Sequence, residues 1–271
     1  MKLITSIAAA VAACGVTVSA NVATSPTWGY HNRDASIIST SEWHTTWAAC
    51  GGNRQSPIDI NTTASTSSTN NVPLVFHGDC PTFNLAHPHE PLEVSVVPGG
   101  NCGVSLRDQV YDMKQFHMHS VSEHTINGKH MDAEIHFVHV ASESKALLVV
   151  AVFLDIGPVS DEWLGPVLDA LDQVNCTTTK RDAIIVNLSS YSTMISKAAA
   201  IGGVYNYAGS LTIPGCEENA DWWVVESPIK ISSIDFGRLH QDLVEYPITD
   251  DGNNARPVQP LNGRVVTRYI N

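Results

Sequence analysis

The chain has 271 residues, of which 43% are hydrophobic and 15% are charged, so it can bury a sizeable core and is too apolar for global disorder. It carries 15 basic residues against 27 acidic ones, for a formal net charge of −12. A protein that tracks nucleic-acid phosphates needs a basic face, so this balance argues against that class.

The N-terminus has the pattern of a secretory signal peptide. Lys2 gives a short positive start, an uncharged apolar stretch follows over residues 3–18, and a cleavage-like Val-Ser-Ala sequence ends at Ala20. The apolar stretch is short for a bilayer span, and no later stretch is long enough. We therefore predict a signal peptide over residues 1–20, a single domain over residues 21–271 and a secreted protein.

Asparagine and cysteine patterns agree with export. N-x-S/T sequons begin at Asn61, Asn175 and Asn187, so N-glycosylation is expected. Five cysteines remain after the signal peptide, and this odd number means that at least one is free or pairs between chains. Export allows disulfides, but the spacing alone does not fix their pairing.

Strand-like segments follow a polar region. The Ser/Thr/Asn run over residues 62–71 predicts a surface loop. Four later segments are rich in β-branched or aromatic residues, or alternate in polarity, and predict strands. These segments are residues 92–97, 111–119, 133–140 and 146–154. The last is apolar on both faces, which is typical of a central strand.

Two helices are predicted in the second half of the chain. Residues 161–174 are preceded by Ser160 as an N-cap candidate, carry acids in the first turn and repeat leucine and valine at helical spacing. Residues 233–243 are a second candidate. Because helices are few, short and late among many strands, we predict one predominantly β domain.

Histidines concentrate on two of the predicted strands. His117 and His119 alternate along one strand and therefore share a face with Gln115. His136 lies on the next strand, and Asn127-Gly128 between the two is a turn signal. Two antiparallel strands would thus bring three imidazoles together. Three histidines leave the fourth position of tetrahedral zinc open for water, which is the catalytic arrangement.

A competing metal motif involves a carboxylate. The spacing of His117, His119 and Glu123 resembles the first half of a cupin motif, in which Glu123 would be a ligand. The glycine expected further on is not at the usual spacing and no second cupin motif follows, so we favour the three-histidine site. Glu134 shares the face of His136 and, like Gln115, could orient a ligand.

Three further histidines lie near this cluster but suit a metal site less well. His139 is out of phase with His136 on its strand, and His124 and His130 fall in the presumed loop. We expect all three to be structural or solvent-facing.

Residues 115–139 resemble the core signature of the α-class carbonic anhydrases. Four more segments match that family in the same order, and the five together span nearly the whole chain after the signal peptide. The four are residues 28–30, 50–60, 209–212 and 254–261. The resemblance implies a mainly β fold: a single domain around a large, mostly antiparallel, twisted sheet of about ten strands, with short peripheral helices.

The same resemblance implies an activity and its principal residues. Reversible hydration of CO2 to bicarbonate and a proton would proceed by attack of a zinc-bound hydroxide, with Zn2+ held by His117, His119 and His136. Thr212 matches the threonine that orients the hydroxide, and Glu123 matches the carboxylate that accepts the threonine proton.

Further roles are carried over by position. The groups that hold the ligating imidazoles would be Gln115, Glu134 and the Asn254 backbone. The apolar CO2 wall would be Val138, Val149, Leu211 and Trp222, with Tyr30 in the cavity water network. The proton shuttle would be His89, with His87 as the second choice.

The resemblance also bears on the cysteines. Cys50 and Cys216 match the one disulfide common to exported members of the family. Cys80 and Cys102 are candidates for a second pair, which would leave Cys176 unpaired.

One departure lies beside the catalytic threonine. Ile213 stands where many members of the family have a polar residue, although no departure removes a zinc ligand. The alternative to an active enzyme is a weak or inactive, anhydrase-like extracellular binding domain, since some members of the family only bind partners. For the enzyme we expect a small-molecule substrate, no nucleic-acid partner and no membrane span.

Overall fold

A computed structural model gives the structure of the protein and describes residues 27–85, 93–175 and 184–270. The predicted signal peptide, both shuttle candidates (His87 and His89) and Cys176 lie outside the described residues. Among the described residues, no helix is long and apolar enough to cross a bilayer.

Strands dominate the described part of the chain. They are β1 Asp59–Ile60, β2 Thr66–Ser67, β3 Leu74–His77, β4 Thr82–Leu85, β5 Val94–Val96, β6 Gly103–Leu106, β7 Gln109–His119, β8 Thr125–Ile126, β9 Lys129–His130, β10 Ala133–Ala141, β11 Leu147–Gly157, β12 Ile184–Asn187, β13 Val204–Gly209, β14 Ala220–Ser232 and β15 Thr267–Tyr269. The α-helices are α1 Trp43–Thr46, α2 Gly165–Asn175, α3 Tyr191–Gly202 and α4 Ser233–Val244, with a 3-10 helix at Ala48–Gly51.

A twelve-stranded sheet forms the body of the described structure. Ten strands follow the order β12-β4-β5-β7-β10-β11-β14-β13-β15-β2, while β6 pairs with both β7 and β3. The pairs β11–β14 and β15–β2 are parallel, and the other pairs in this sheet are antiparallel. A small second sheet joins β1, β8 and β9. The expected fold class, a large and mostly antiparallel sheet with short helices, is confirmed.

The two faces of the large sheet pack into separate cores. Because side chains alternate along a strand, Phe137 and Val150 point into the larger core, which includes residues of α2, α3 and α4. Val138 and Val149 point into a smaller core on the opposite face. The three clustered histidines lie on the side of this smaller core, away from α2, α3 and α4, because they alternate with strand residues of the larger core.

The four predicted strands correspond to β5, β7, β10 and β11. β11 lies between β10 and β14 and is largely buried, so its apolar sequence on both faces correctly predicted a central strand. The turn signal at Asn127-Gly128 is also correct, since it closes the β8–β9 hairpin. Both residues have positive φ (51° and 75°), which a tight hairpin turn requires.

The polar run 62–71 is not wholly a loop. Its residues Thr66–Ser67 form β2 at the edge of the large sheet. The Thr66 N–H donates to the Val266 carbonyl and the Ser68 N–H to the Arg268 carbonyl. These backbone bonds do not depend on side-chain type, which explains why the composition of the segment did not predict them.

The helix predicted from residue 161 begins later. α2 starts at Gly165, and Asp161 instead forms a turn in which its carboxylate accepts from the Trp163 N–H (3.0 Å). Ser160 does not cap α2, because its hydroxyl accepts from the Ser232 N–H (2.8 Å) at the start of α4. The predicted helix at residues 233–243 is confirmed as α4.

Candidate metal centre and active site

The register of two strands assembles the histidine cluster. In the β7–β10 pair, His117 lies opposite His136, and His119 lies opposite Glu134. The three imidazole ring centroids are 4.6 to 5.1 Å apart, and one ring nitrogen of each lies within 4.8 Å of the others. The structure thus brings together the three histidines that the sequence singled out as zinc ligands.

Each imidazole in the cluster is oriented by one hydrogen bond. The ring N–H donates to an oxygen 2.8 Å away in every case. The pairs are His117 Nδ1 with Gln115 Oε1, His119 Nδ1 with the Asn254 carbonyl, and His136 Nε2 with Glu134 Oε1. Because these oxygens accept, the proton of each neutral ring lies on the outer nitrogen and the lone pair on the inner one.

The inner nitrogens face one another without protons between them. His117 Nε2 and His136 Nδ1 are 3.2 Å apart, and His119 Nε2 is buried with no hydrogen-bond partner. Lone pairs held this close repel each other unless a cation lies between them. Three buried, neutral imidazole nitrogens with fixed tautomers are the donor set that zinc takes in catalytic sites, so the residues fit this metal.

Burial also keeps the three imidazole rings neutral. It lowers the pKa of His117 well below its ordinary value, lowers the pKa of His119 to about 4 and lowers the pKa of His136. At neutral pH the three lone pairs are therefore free of protons and available to a metal.

Asn254 fixes more than one part of the site. While its carbonyl accepts from His119, its side-chain amide donates to the Met118 carbonyl (3.0 Å), and its Oδ1 accepts from the Ser120 N–H (2.9 Å). This bracket ties a late segment of the chain to the end of β7. It therefore fixes the position of the backbone carbonyl that accepts from His119.

Glu123 lies beside the ligand nitrogens and is fully buried. Its Oε1 accepts from the Arg256 backbone N–H (2.8 Å), and its Oε2 is 3.6 Å from His119 Nε2. Burial raises the pKa of Glu123 to about 7, while the nearby His136 ring, the Arg256 N–H and the Thr212 hydroxyl oppose that rise. The Thr212 hydroxyl interacts with this carboxylate, but Oε2 has no hydrogen bond of standard geometry.

An apolar wall stands next to His136. Val138, Val149 and Trp222 lie side by side on β10, β11 and β14, as the pairings Val138–Val149 and Val149–Trp222 show. The Trp222 ring is 4.7 Å from the His136 ring, centroid to centroid. Leu211, the fourth predicted wall residue, is half-buried immediately before Thr212.

Tyr30 lies in an aromatic cluster formed by the N-terminal segment. Its ring meets those of Trp28 and Trp43 edge to face, with centroids 5.7 and 5.9 Å away. The predicted contribution of Tyr30 to a cavity water network stays a prediction.

Sequence reasoning missed the importance of His124. Of the two expected roles, structural or solvent-facing, it has the first. It is fully buried, and Glu134 accepts from both its backbone N–H (2.8 Å) and its Nδ1–H (2.6 Å). His124, Glu134 and His136 could be mistaken for a second metal site, but ring N–H groups fill the space between them. No strand periodicity marks position 124, because it lies between β7 and β8.

The other two nearby histidines differ from each other. His139 is fully buried in the larger core, whereas His130 is exposed on β9 and bonds the Ser122 carbonyl (2.7 Å). Both lie outside the cluster of three histidines, in agreement with the expectation that they are structural or solvent-facing.

Both disulfides considered from the sequence are present. Cys50–Cys216 links the N-terminal segment to the loop that carries Thr212, and Cys80–Cys102 closes a shorter loop. The first bond anchors the chain four residues after Thr212 and thereby limits the freedom of that loop.

Comparison with known proteins agrees with this fold and site. The family described as eukaryotic-type carbonic anhydrase matches residues 38–270. Carbonic anhydrase 7 of Homo sapiens is 31% identical over 270 residues, covering 88% of this chain and 96% of that protein. The α-carbonic anhydrase of Thermovibrio ammonificans, solved with the inhibitor sulfanilamide, has a TM-score of 0.71 at 29% identity, covering 90% of this chain and 100% of that one. The chain belongs to the eukaryotic-type carbonic anhydrase family.

A third likeness concerns the fold alone. Dioscorin, solved in complex with ascorbate, has a TM-score of 0.75 at 24% identity, covering 89% of this chain and 97% of that one. Because one fold hosts different functions, the activity of this chain has to be argued from its site.

Proposed function

We propose that the protein catalyses the reversible hydration of CO2 to bicarbonate and a proton, with zinc held by His117, His119 and His136. The observation that carries this proposal is the convergence of three unprotonated imidazole nitrogens, each fixed by an outer hydrogen bond. In carbonic anhydrases, zinc lowers the pKa of its water to about 7 and so supplies hydroxide at neutral pH.

Thr212 and Glu123 would orient the nucleophile. An ionised Glu123 accepts the Thr212 hydroxyl proton in a hydrogen bond, which leaves the Thr212 oxygen to accept a hydrogen bond from the attacking oxygen. The Arg256 backbone N–H holds the carboxylate for this role. Such an acceptor selects the orientation in which a lone pair of the nucleophile faces the substrate.

The apolar wall suits the substrate. CO2 is small and uncharged, and Val138, Val149 and Trp222, together with the half-buried Leu211, offer it a surface that water does not solvate well. The product is an anion, which such a wall holds poorly, so the same surface favours release.

We also propose that residues 21–271 form one exported domain. The two disulfides support this, because such bonds persist in oxidising compartments. The signal peptide over residues 1–20, the N-glycans and the shuttle role of His89 remain sequence predictions.

The test is CO2 hydration by the zinc-loaded protein, followed with a pH indicator, repeated after chelation and again after zinc is restored. We expect rapid acidification that chelation abolishes and zinc recovers. If zinc is bound stoichiometrically and no rate exceeds that of buffer, the binding-domain alternative replaces the enzyme.

A ligand variant tests the assignment itself. His119→Ala removes one of three zinc donors, so both zinc retention and hydration should be lost. His44→Ala, at an exposed histidine of α1, is the matched control and should keep both. Retained activity of His119→Ala at a stoichiometric metal load would contradict the ligand assignment.

A further inference from the structure

A chain of buried polar groups leads away from the metal cluster. It starts at Glu134, whose Oε1 accepts both the His136 Nε2–H (2.8 Å) and the His124 Nδ1–H (2.6 Å). All three residues are essentially inaccessible to solvent. A buried polar group that loses its partner is costly, so each member of such a chain holds its neighbours in place.

Tyr207 on β13 continues this chain. Its hydroxyl lies 2.7 Å from His124 Nε2 and 2.8 Å from Ser56 Oγ. A hydroxyl can donate once and also accept, so Tyr207 can satisfy both neighbours at the same time. Burial holds the pKa of Tyr207 well above its usual range, which keeps the group a neutral phenol.

Ser56 completes the connection to the catalytic loop. Its Oγ accepts from the Ser210 N–H (3.1 Å), and its own N–H donates to Ser210 Oγ (3.0 Å). Ser210 stands two residues before Thr212 and is fully buried. The chain of hydrogen bonds therefore runs from a metal ligand at one end to the Thr212 loop at the other.

We propose that Tyr207 is a positioning residue that ties the orientation of the ligand His136 to the position of the Thr212 loop. The inference rests on the proposed zinc site. Without the Tyr207 hydroxyl, His124 Nε2 and Ser56 Oγ lose their shared partner, and the two ends of the chain become independent.

The neighbouring strand position provides a matched control. Tyr205 is two residues earlier on β13, on the same face and equally buried, but its hydroxyl donates to Glu226 Oε1 (3.0 Å). Tyr205→Phe removes the same atom from the same core as Tyr207→Phe does. Each variant removes one hydrogen-bonded phenol hydroxyl from the same face of β13, but only Tyr207→Phe breaks the link to the candidate metal site.

The experiment compares zinc release and metal geometry in the two variants. For Tyr207→Phe we expect zinc to dissociate into excess chelator about 3- to 10-fold faster than from wild type. This effect is smaller than the roughly 10- to 100-fold loss expected when a residue bonded directly to a zinc ligand is replaced. The visible spectrum of the cobalt-substituted protein, which reports ligand geometry, should change as well. Tyr205→Phe should match wild type in both measurements.

A second variant tests the same chain from its other side. Ser56→Ala should also speed zinc release. Because both substitutions break the same chain of hydrogen bonds, the double variant with Tyr207→Phe should release zinc at a rate close to that of the faster single variant. If Tyr207→Phe does not fold, Ser56→Ala decides by the same two readouts.

The outcomes separate this inference from the proposed function. If wild type binds no zinc, both are wrong. If wild type holds zinc and hydrates CO2 while Tyr207→Phe and Ser56→Ala release zinc at the wild-type rate with an unchanged cobalt spectrum, only the positioning role is wrong. A lower melting temperature with unchanged metal readouts would likewise show a purely structural role.

Discussion

Burial sets the protonation state of the three clustered histidines and of the carboxylate beside them. It removes protons from His117, His119 and His136, and it raises the pKa of the Glu123 carboxyl to about 7. A divalent cation among the imidazoles would favour the ionised carboxylate, because opposite charges at short distance stabilise each other. If zinc binds as proposed, its charge would therefore also favour the form of Glu123 that accepts a hydrogen bond from Thr212.

Glu123→Gln separates orientation of the nucleophile from metal binding. The amide keeps the contact to the Arg256 N–H but has no charge with which to accept strongly from Thr212. We expect zinc to be retained and turnover to fall by about 10²-fold or more. Zinc content after gel filtration and the hydration rate are the two measurements.

The same variant decides between the two metal motifs considered from the sequence. If Glu123 were a cupin-like ligand, Glu123→Gln would release the metal together with the activity. Stoichiometric zinc in an impaired enzyme would exclude that arrangement.

His139 makes stability depend on pH independently of the metal site. It is buried in the larger core, where its Nδ1–H donates to the Leu148 carbonyl (3.2 Å) and its Nε2 lies 3.0 Å from the Tyr191 hydroxyl. Burial lowers the pKa of His139 from 6.5 to about 4. The unfolded chain therefore takes up this proton more readily, so the contribution is neutral above pH 6.5 and becomes destabilising as the pH falls towards 4.

His139→Gln should remove that part of the acid sensitivity. Between pH 7.5 and 5, the unfolding free energy of wild type should fall by about 2 kcal/mol more than that of the variant. Urea unfolding of wild type and variant, both treated with chelator, at the two pH values measures this difference. The pH dependence that His117, His119 and His136 contribute is the same in both proteins and cancels. Parallel losses in the two proteins would show that His139 does not carry the effect.

At the scale of elements, α4 begins with a side-chain cap. Ser232 Oγ accepts from the Asp235 N–H (3.1 Å), which satisfies one of the free donors of the first turn. Ser232→Ala should lower the unfolding free energy by about 1 kcal/mol in urea titrations. Ser233→Ala, one residue later and exposed, is the control, and an equal loss in both variants would argue against the cap.

The elements that the sequence predicted are those whose signal is local. β7, β10 and β11 follow from alternation or continuous apolar runs, and α4 corresponds to the helix candidate over residues 233–243. α3 was missed although Tyr191, Met194, Ile195, Ala198 and Ala199 recur at helical spacing along it and are buried. Three consecutive alanines and the weakly apolar first turn made the pattern faint, and the contact with the large sheet provides the rest of its stability.

The residues of the candidate site also fall into two groups: those that a local sequence pattern marks and those that it does not. The pair His117 and His119 on one strand and His136 on the next form a local pattern, so spacing alone indicated the cluster of three histidines. Asn254 lies 135 residues from His119, and Tyr207 lies 83 residues from His124, so no local rule connects them. The family resemblance supplied Asn254, but nothing in the sequence singled out His124 or Tyr207 as parts of one network.

At the scale of the whole molecule, the two disulfides close loops of different length. Cys50 and Cys216 are separated by 166 residues, whereas Cys80 and Cys102 are separated by 22. In the chain-entropy treatment, the longer loop is worth about 5 kcal/mol and the shorter one about 3 kcal/mol. Replacing Cys50 and Cys216 by alanine should therefore lower the urea midpoint more than the same change at Cys80 and Cys102.

The measurement is urea unfolding of the two double variants beside wild type. The reverse order of midpoints would mean that native-state packing around the bonds, rather than restriction of the unfolded chain, determines their contribution. Turnover should also be lower in the variant that lacks the Cys50–Cys216 disulfide, because that disulfide anchors the loop after Thr212.

The contacts made by Asn254 complete the candidate metal site only late in the synthesis of the chain. A nascent chain that has left the ribosome only through β11 already contains all three ligand histidines. It still lacks Thr212, the carbonyl that holds His119 and the Arg256 N–H that holds Glu123. A finished binding pocket therefore exists only after translation has passed residue 256. If the protein is exported and binds zinc as proposed, the complete pocket would form, and its zinc would be held by the full set of contacts, in the compartment in which the whole chain folds.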